Sequence, residues 1–322
     1  MAESFFELSR ADRVEALEVA AARSGRPPDL LEKDVWVVWV LDVLFRAPFG
    51  EQLTFKGGTS LSKAFGVIDR FSEDVDLTYD IRALLPDLAN EEGDPIPASR
   101  SAADRLTGRV REALPAWVAR APLAGLEGAV ETAGIDEVAV RLDGDRLVLA
   151  YPPSVKPAVD YVRSEVLIEF GARSAGVPSD VRAITCDAAP HLPEVRFPTA
   201  DPRVLRVERT FWEKATAAHV YCLQKRLRGD RFARHWYDLA RLEVVGLASV
   251  ALADREVAEA VADHKPTLLP RERCAGRGRR LPGRGERRSR SGTAGSGTSQ
   301  AGGRLRPHAI GRPPAERCAV LR

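Results

Sequence analysis

The feature that most constrains this chain is a strand–turn–helix–strand run between residues 53 and 79. Leu53–Lys56 (LTFK) reads as a short buried strand entering Gly57-Gly58, and a helix is expected over residues 60–66. Asp74–Tyr79 (DVDLTY) then alternates with period two, as a strand does. Two glycines between a strand and a helix tolerate φ > 0 and let the backbone approach a ligand closely. The helix that opens next offers unpaired N–H groups and a partial positive charge, which suits a polyphosphate. Thr59 and Ser60 add hydroxyl donors. On the second strand Asp74 and Asp76 stand two apart, so both carboxylates leave the same face. Paired hard oxygen ligands are what Mg²⁺ requires, with phosphates completing its shell. Singly these signals have bland readings, a plain turn and a solvated strand edge. In this order and spacing they describe a complete nucleoside-triphosphate site.

The rest of the chain supplies a scaffold for that run. Helical spacing recurs over residues 11–23 and 29–46, at about 102–119, and from 204 to about 262. Residues 85–103 are rich in Pro, Asp and Glu and read as a loop. Strand-like runs lie at 137–142, 146–151 and 162–170, with a turn signal at Asp143-Gly144. The expected class is α+β: a mixed sheet flanked by helices, then a helical carboxy-terminal bundle. The longest apolar run, residues 35–45, is interrupted by Asp42 and too short to span a bilayer. No secretory signal is visible, and the four cysteines are scattered without zinc-ligand spacing. A cytoplasmic protein with no membrane partner is expected.

Charge divides the chain. Residues 265–322 carry 15 basic against three acidic residues, a net +12, and contain no Phe, Trp, Tyr or Asp. Residues 1–264 carry 33 basic against 43 acidic residues, a net −10. A segment so poor in apolar residues cannot offset its ordering entropy, so the tail is expected to be disordered. It reads either as an arginine-rich nucleic-acid arm or as the product of a reading-frame shift that truncates the bundle. The organisation expected is thus residues 1–200, 201–264 and the tail 265–322. The acidic balance of residues 1–264 argues against a broad RNA footprint, although Lys225, Arg226, Arg228, Arg231 and Arg234 form a local basic patch.

The motif GGTSL…RFSEDVDL resembles the nucleotidyltransferase toxins of the AbiEii/AbiGii group, within the polymerase-β-like nucleotidyltransferase superfamily. Val207-Glu-Arg-Thr-Phe-Trp-Glu-Lys-Ala215 resembles the family's Lys-bearing helix. Arg234-His-Trp-Tyr-Asp-Leu239 resembles its Arg-x-x-Tyr-Asp-Leu element, with His235 where many members have Asp. Leu31-Glu-Lys-Asp-Val-Trp-Val37 resembles its amino-terminal helix, so the likeness runs from about residue 30 to Lys265. The resemblance implies a nucleotidyltransferase fold and a third carboxylate on a neighbouring strand. Alternation in residues 165–170 puts Glu165, Leu167 and Glu169 on one face. Glu169 matches the family position, with pairing to Arg173 as its structural reading and Glu165 as the runner-up.

The roles implied are these. Asp74, Asp76 and Glu169 bind two Mg²⁺ ions and carry catalysis. Gly57, Gly58, Thr59, Ser60, Arg70, Lys214 and Asp238 bind the nucleotide, Asp238 fixing the Lys214 ammonium. Arg70 has pairing with Glu73 as its alternative. His219 and His235 read as packing or hydrogen-bonding residues, and Cys222 as core. The implied reaction is NMP transfer from an NTP to an acceptor hydroxyl, commonly a tRNA 3′ end. Growth arrest follows in a toxin–antitoxin or phage-defence setting, with an antitoxin encoded alongside. Two alternatives remain at this point: NMP transfer to a protein hydroxyl, and a nucleotide-binding remnant without catalysis.

Overall fold

A computed structural model describes residues 2–70, 74–88, 93–156, 163–223 and 229–268. All of them fall in one compact unit, Met1–Pro270. The tail from residue 269 onward, and with it the expectation of disorder, lies outside the described residues. So do Glu73 and residues 225–228 of the basic patch.

The strands are β1 (Glu3–Ser4), β2 (Leu53–Lys56), β3 (Asp74–Tyr79), β4 (Ala139–Asp143), β5 (Arg146–Ala150), β6 (Glu165–Gly171), β7 (Ser179–Val181), β8 (Ile184–Thr185), β9 (Val195–Arg196), β10 (Thr199–Ala200) and β11 (Arg203–Leu205). The α-helices are α1 (Arg10–Ser24), α2 (Pro28–Arg46), α3 (Gly57–Lys63), α4 (Ile81–Leu84), α5 (Arg100–Arg120), α6 (Pro122–Ala133), α7 (Val207–Leu223), α8 (Gly229–Val244), α9 (Leu247–Ala253) and α10 (Arg255–Leu268). Seven strands form one mixed sheet in the order β4-β5-β6-β3-β2-β11-β7. The β3–β6 and β11–β2 pairs are parallel, and its other pairs are antiparallel. The expected α+β class, a mixed sheet flanked by helices, is the one observed.

Alternation makes the central strands two-faced. Phe55, Val75, Leu77, Val166, Ile168, Phe170, Leu147 and Leu149 point to one side and are buried. Together with α2, α5 and α6 they form the main core. Helix α2 is apolar nearly all round between Val35 and Leu41, as a helix enclosed by its own domain must be. Its first helical residue is Pro28, where a missing N–H costs nothing. Trp117 of α5 fills the space over β3 and β6, stacking on Tyr79 at 3.8 Å and meeting Phe170 edge-on. A second, smaller core of Leu61, Val67, Ile68, Val207 and Leu242 joins α3 to α7 and α8. The other face of the central strands carries the polar residues, and the candidate site is there.

Some expectations need correction. Helix α3 begins at Gly57, three residues earlier than expected, because the positive φ (+83°) falls on the first helical residue itself. Residues 122–133, unassigned by periodicity, form α6, with Pro122 at its start and Gly134 in the left-handed conformation at its end. The helical stretch expected from 204 starts at Val207, since Arg203–Leu205 is a strand beside β2. Cys222, read as core, is exposed in the last turn of α7, whereas Cys186 is buried.

Candidate active site

The site is a row of charged residues running across four strands. Strand pairing places Lys56 opposite Asp76, Asp76 beside Glu169, and Glu169 opposite Arg146. Direct register partners share a face, so the row reads cation, anion, anion, cation across β2, β3, β6 and β5. Asp74 lies two residues before Asp76 on the same face. Glu169 pairs with Arg146 at 3.0 Å. Its neighbour in register is Asp76, which Glu165 is not: Glu165 sits opposite Ala150 and pairs with Arg141 at 3.1 Å.

Asp76 carries the electrostatic tension of this row. Burial, and after it the Glu169 and Asp74 carboxylates, push its carboxyl up to about 6, against the pull of Lys56 and Lys214. The Gly57 turn presses on the same carboxylate. A Cβ built on Gly57 would lie 2.0 Å from Asp76 Oδ2, so only glycine fits there. The side chains beyond it serve the turn itself. The Thr59 hydroxyl donates to the Asp74 carbonyl, and that of Ser60 donates to the Gly57 carbonyl at 3.0 Å. Both residues are buried.

The helical part brings a second cluster to the site. Asp238 of α8, 1% exposed, accepts from Lys214 Nζ of α7 at 2.8 Å. The same carboxylate takes both nitrogens of the Arg70 fork, Nε at 3.0 Å and Nη2 at 2.9 Å. The partnership of Lys214 with Asp238 is therefore present. Arg70, for which phosphate or Glu73 was the expectation, is held by Asp238. Lys214 is close enough to Asp76 to lower its proton affinity, which ties this cluster to the carboxylate row. His235 packs on the ring of Tyr221, with centroids 5.6 Å apart.

Among the described residues, no group of three or more His, Cys, Asp or Glu side chains is arranged to hold a metal ion. The carboxylate row is where a hard divalent cation could be held. Asp74, Asp76 and Glu169 offer oxygen donors from adjacent strands, and their mutual repulsion is what a cation would relieve. Sequence reasoning missed Lys56 and Arg146, the cations that flank the carboxylates. The signal for Lys56 was its place directly before Gly57-Gly58; Arg146 had none without the strand pairing.

A mixed sheet thus bears paired carboxylates beside a glycine turn, next to the Lys214–Asp238 pair that joins α7 to α8, an arrangement in keeping with an α+β nucleotidyltransferase. The model of the AbiEii family, "Nucleotidyl transferase AbiEii toxin, Type IV TA system", matches residues 39–291. The chain belongs to this family. The match begins within α2 and continues past Lys265 into the arginine-rich segment, further than the sequence likeness was taken to extend. Among solved structures, MenT4, a nucleotidyltransferase toxin from Mycobacterium tuberculosis H37Rv, is similar at 20% identity with a TM-score of 0.34. That similarity covers 66% of this chain and 59% of the MenT4 chain. No curated protein matches. Among the described residues, no helix is long and apolar enough to cross a membrane.

Proposed function

We propose that this protein transfers a nucleoside monophosphate from an NTP to an RNA hydroxyl, the 3′ end of a tRNA, as the toxin of a pair whose antitoxin restrains it. The observation that carries the reading is the adjacency of Asp76 and Glu169 on parallel strands, with Asp74 on the same face. In this reading Asp74, Asp76 and Glu169 hold two Mg²⁺ ions. Bound there, Mg²⁺ lowers the pKa of the attacking hydroxyl and offsets charge on the phosphates.

The chain's own groups do the positioning. The Gly57 backbone lies against the Asp76 carboxylate, and the Gly57-Gly58 turn is the surface for the β- and γ-phosphates, while Thr59 and Ser60 stiffen it through their internal hydrogen bonds. Lys214 directs its ammonium to the triphosphate, and Asp238 prevents it from swinging away. Arg70, gripped by two hydrogen bonds, adds a second fixed positive charge. Lys56 and Arg146 balance the carboxylates from either end of the row. Because such catalysis is mostly positioning and charge stabilisation, loss of one carboxylate should cost several orders of magnitude in rate.

The test is incubation of the full chain with each labelled NTP, Mg²⁺ and total RNA, followed by separation of RNA from protein. Label in a tRNA-sized band, lost on EDTA treatment, supports the reading. Label carried by protein alone would overturn the RNA acceptor in favour of protein NMP transfer.

A further inference from the structure

A buried ion cluster lies behind α3, away from the carboxylate row. Lys63, the last residue of α3, places Nζ 2.7 Å from Asp34 Oδ1 and 2.8 Å from Asp187 Oδ1. The Lys63 and Asp34 side chains are 7% and 4% exposed. The Asp187 backbone N–H donates to Asp34 Oδ2 at 2.6 Å, and its carboxylate also pairs with Arg26 at 2.7 Å. Asp34 belongs to a run of three buried charged residues on α2, each committed to a different segment. Glu32 accepts from the Ser154 N–H at 2.8 Å, and Lys33 donates to the Arg163 carbonyl at 3.2 Å, just before β6.

Buried ion pairs are a costly way to stabilise a fold, because a well-packed apolar pair often does as well or better. What they add is a fixed direction. Helix α3 has only seven residues and cannot hold its own position, since isolated helices of that length are unstable. Its first residue, Gly57, has no spare room against Asp76. Its last, Lys63, lies roughly 9 Å further along the axis at the usual rise per residue. A shift of about 1 Å in α3 would press the turn into Asp76 or pull it away, and misplacement on that scale can cost on the order of 100-fold in rate.

We propose that Lys63, Asp34 and Asp187 are positioning residues. They lock α3 to α2, which is itself tied down by Glu32 and Lys33, and so hold the Gly57-Gly58 turn at its working distance from Asp76. The inference rests on the reading of that turn as the NTP phosphate surface.

The test variant is Lys63→Met/Asp34→Asn, which removes both charges but leaves an amide oxygen to accept the Asp187 N–H. Each of the four Mg·NTPs is titrated by calorimetry, the melting temperature is recorded, and NMP transfer to total RNA is measured. The expected result is a melting temperature close to wild type, an NTP dissociation constant raised about tenfold and kcat lowered about 100-fold. Asp187→Asn, whose side chain reaches solvent, is the second variant. It should keep the wild-type melting temperature and show a smaller rise in the same dissociation constant. Wild-type affinity and turnover in folded variants would overturn the proposal, as would losses that merely track melting temperature. A wild-type chain that binds no NTP would overturn the reading of the site, and this inference with it.

Discussion

Replacing Asp76 with asparagine should strengthen the fold while abolishing the chemistry. Burial, and after it the Glu169 and Asp74 carboxylates, push the Asp76 carboxyl up to about 6 in the folded chain, against 3.8 for a free aspartate. A group that binds its proton more tightly when folded costs stability wherever it is ionised. A rise from 3.8 to about 6 corresponds to about 3 kcal/mol, and because the Asp76 side chain is only half-buried, solvent screening leaves about 2 kcal/mol. The penalty is complete above pH 6, shrinks as pH falls through 6, and vanishes below about pH 4, where both states are protonated. In EDTA at pH 8 the Asp76→Asn protein should therefore melt roughly 4–8 °C above wild type. Melting curves from pH 8 to pH 4 should show the gap closing. An unchanged or lowered melting temperature at pH 8, or a gap independent of pH, would refute the reasoning.

Three further outcomes follow from the geometry. Lys214→Ala removes a charge-assisted hydrogen-bond donor and should weaken NTP binding by roughly 10–100-fold in calorimetry, with RNA binding unchanged. Gly57→Ala must accommodate a Cβ on the Asp76 carboxylate at φ +83°, so urea unfolding should reveal a loss of about 1–3 kcal/mol, with transfer activity lost as well. Glu169→Gln should abolish transfer, whereas Glu165→Gln, which disturbs only the partly exposed pairs with Arg141 and Arg163, should leave it within a fewfold of wild type. Equal effects of the last two would remove Glu169 from the site.

Local patterning made the strands of the candidate site legible. β2 and β3 fall on the residues that alternation and the double glycine marked, and alternation alone put Glu165, Leu167 and Glu169 on one face of β6. The family resemblance ranked Glu169 above Glu165; what local pattern could not give was the parallel β3–β6 pairing, which joins segments about 90 residues apart and sets Glu169 beside Asp76. The grip of Asp238 on Arg70 spans 168 residues of sequence and has no local signature. Helix α6 escaped because Gly125 and Gly128 weaken its propensity, although its Pro and Gly ends were readable. Glu32, Lys33 and Asp34 resemble a solvated interruption in an apolar helix; only their partners on three other segments explain why they are buried.

The central claim is that Asp76 and its neighbours form the catalytic centre of a metal-dependent NMP transfer. The most direct measurement compares wild type with Asp76→Ala in transfer of labelled NMP to total RNA, with Mg²⁺ at pH 8 and both proteins shown to be folded by circular dichroism. The account predicts Mg²⁺-dependent labelling by wild type and a rate at least about 1,000-fold lower for the variant. Transfer by Asp76→Ala at a rate near that of wild type would contradict it.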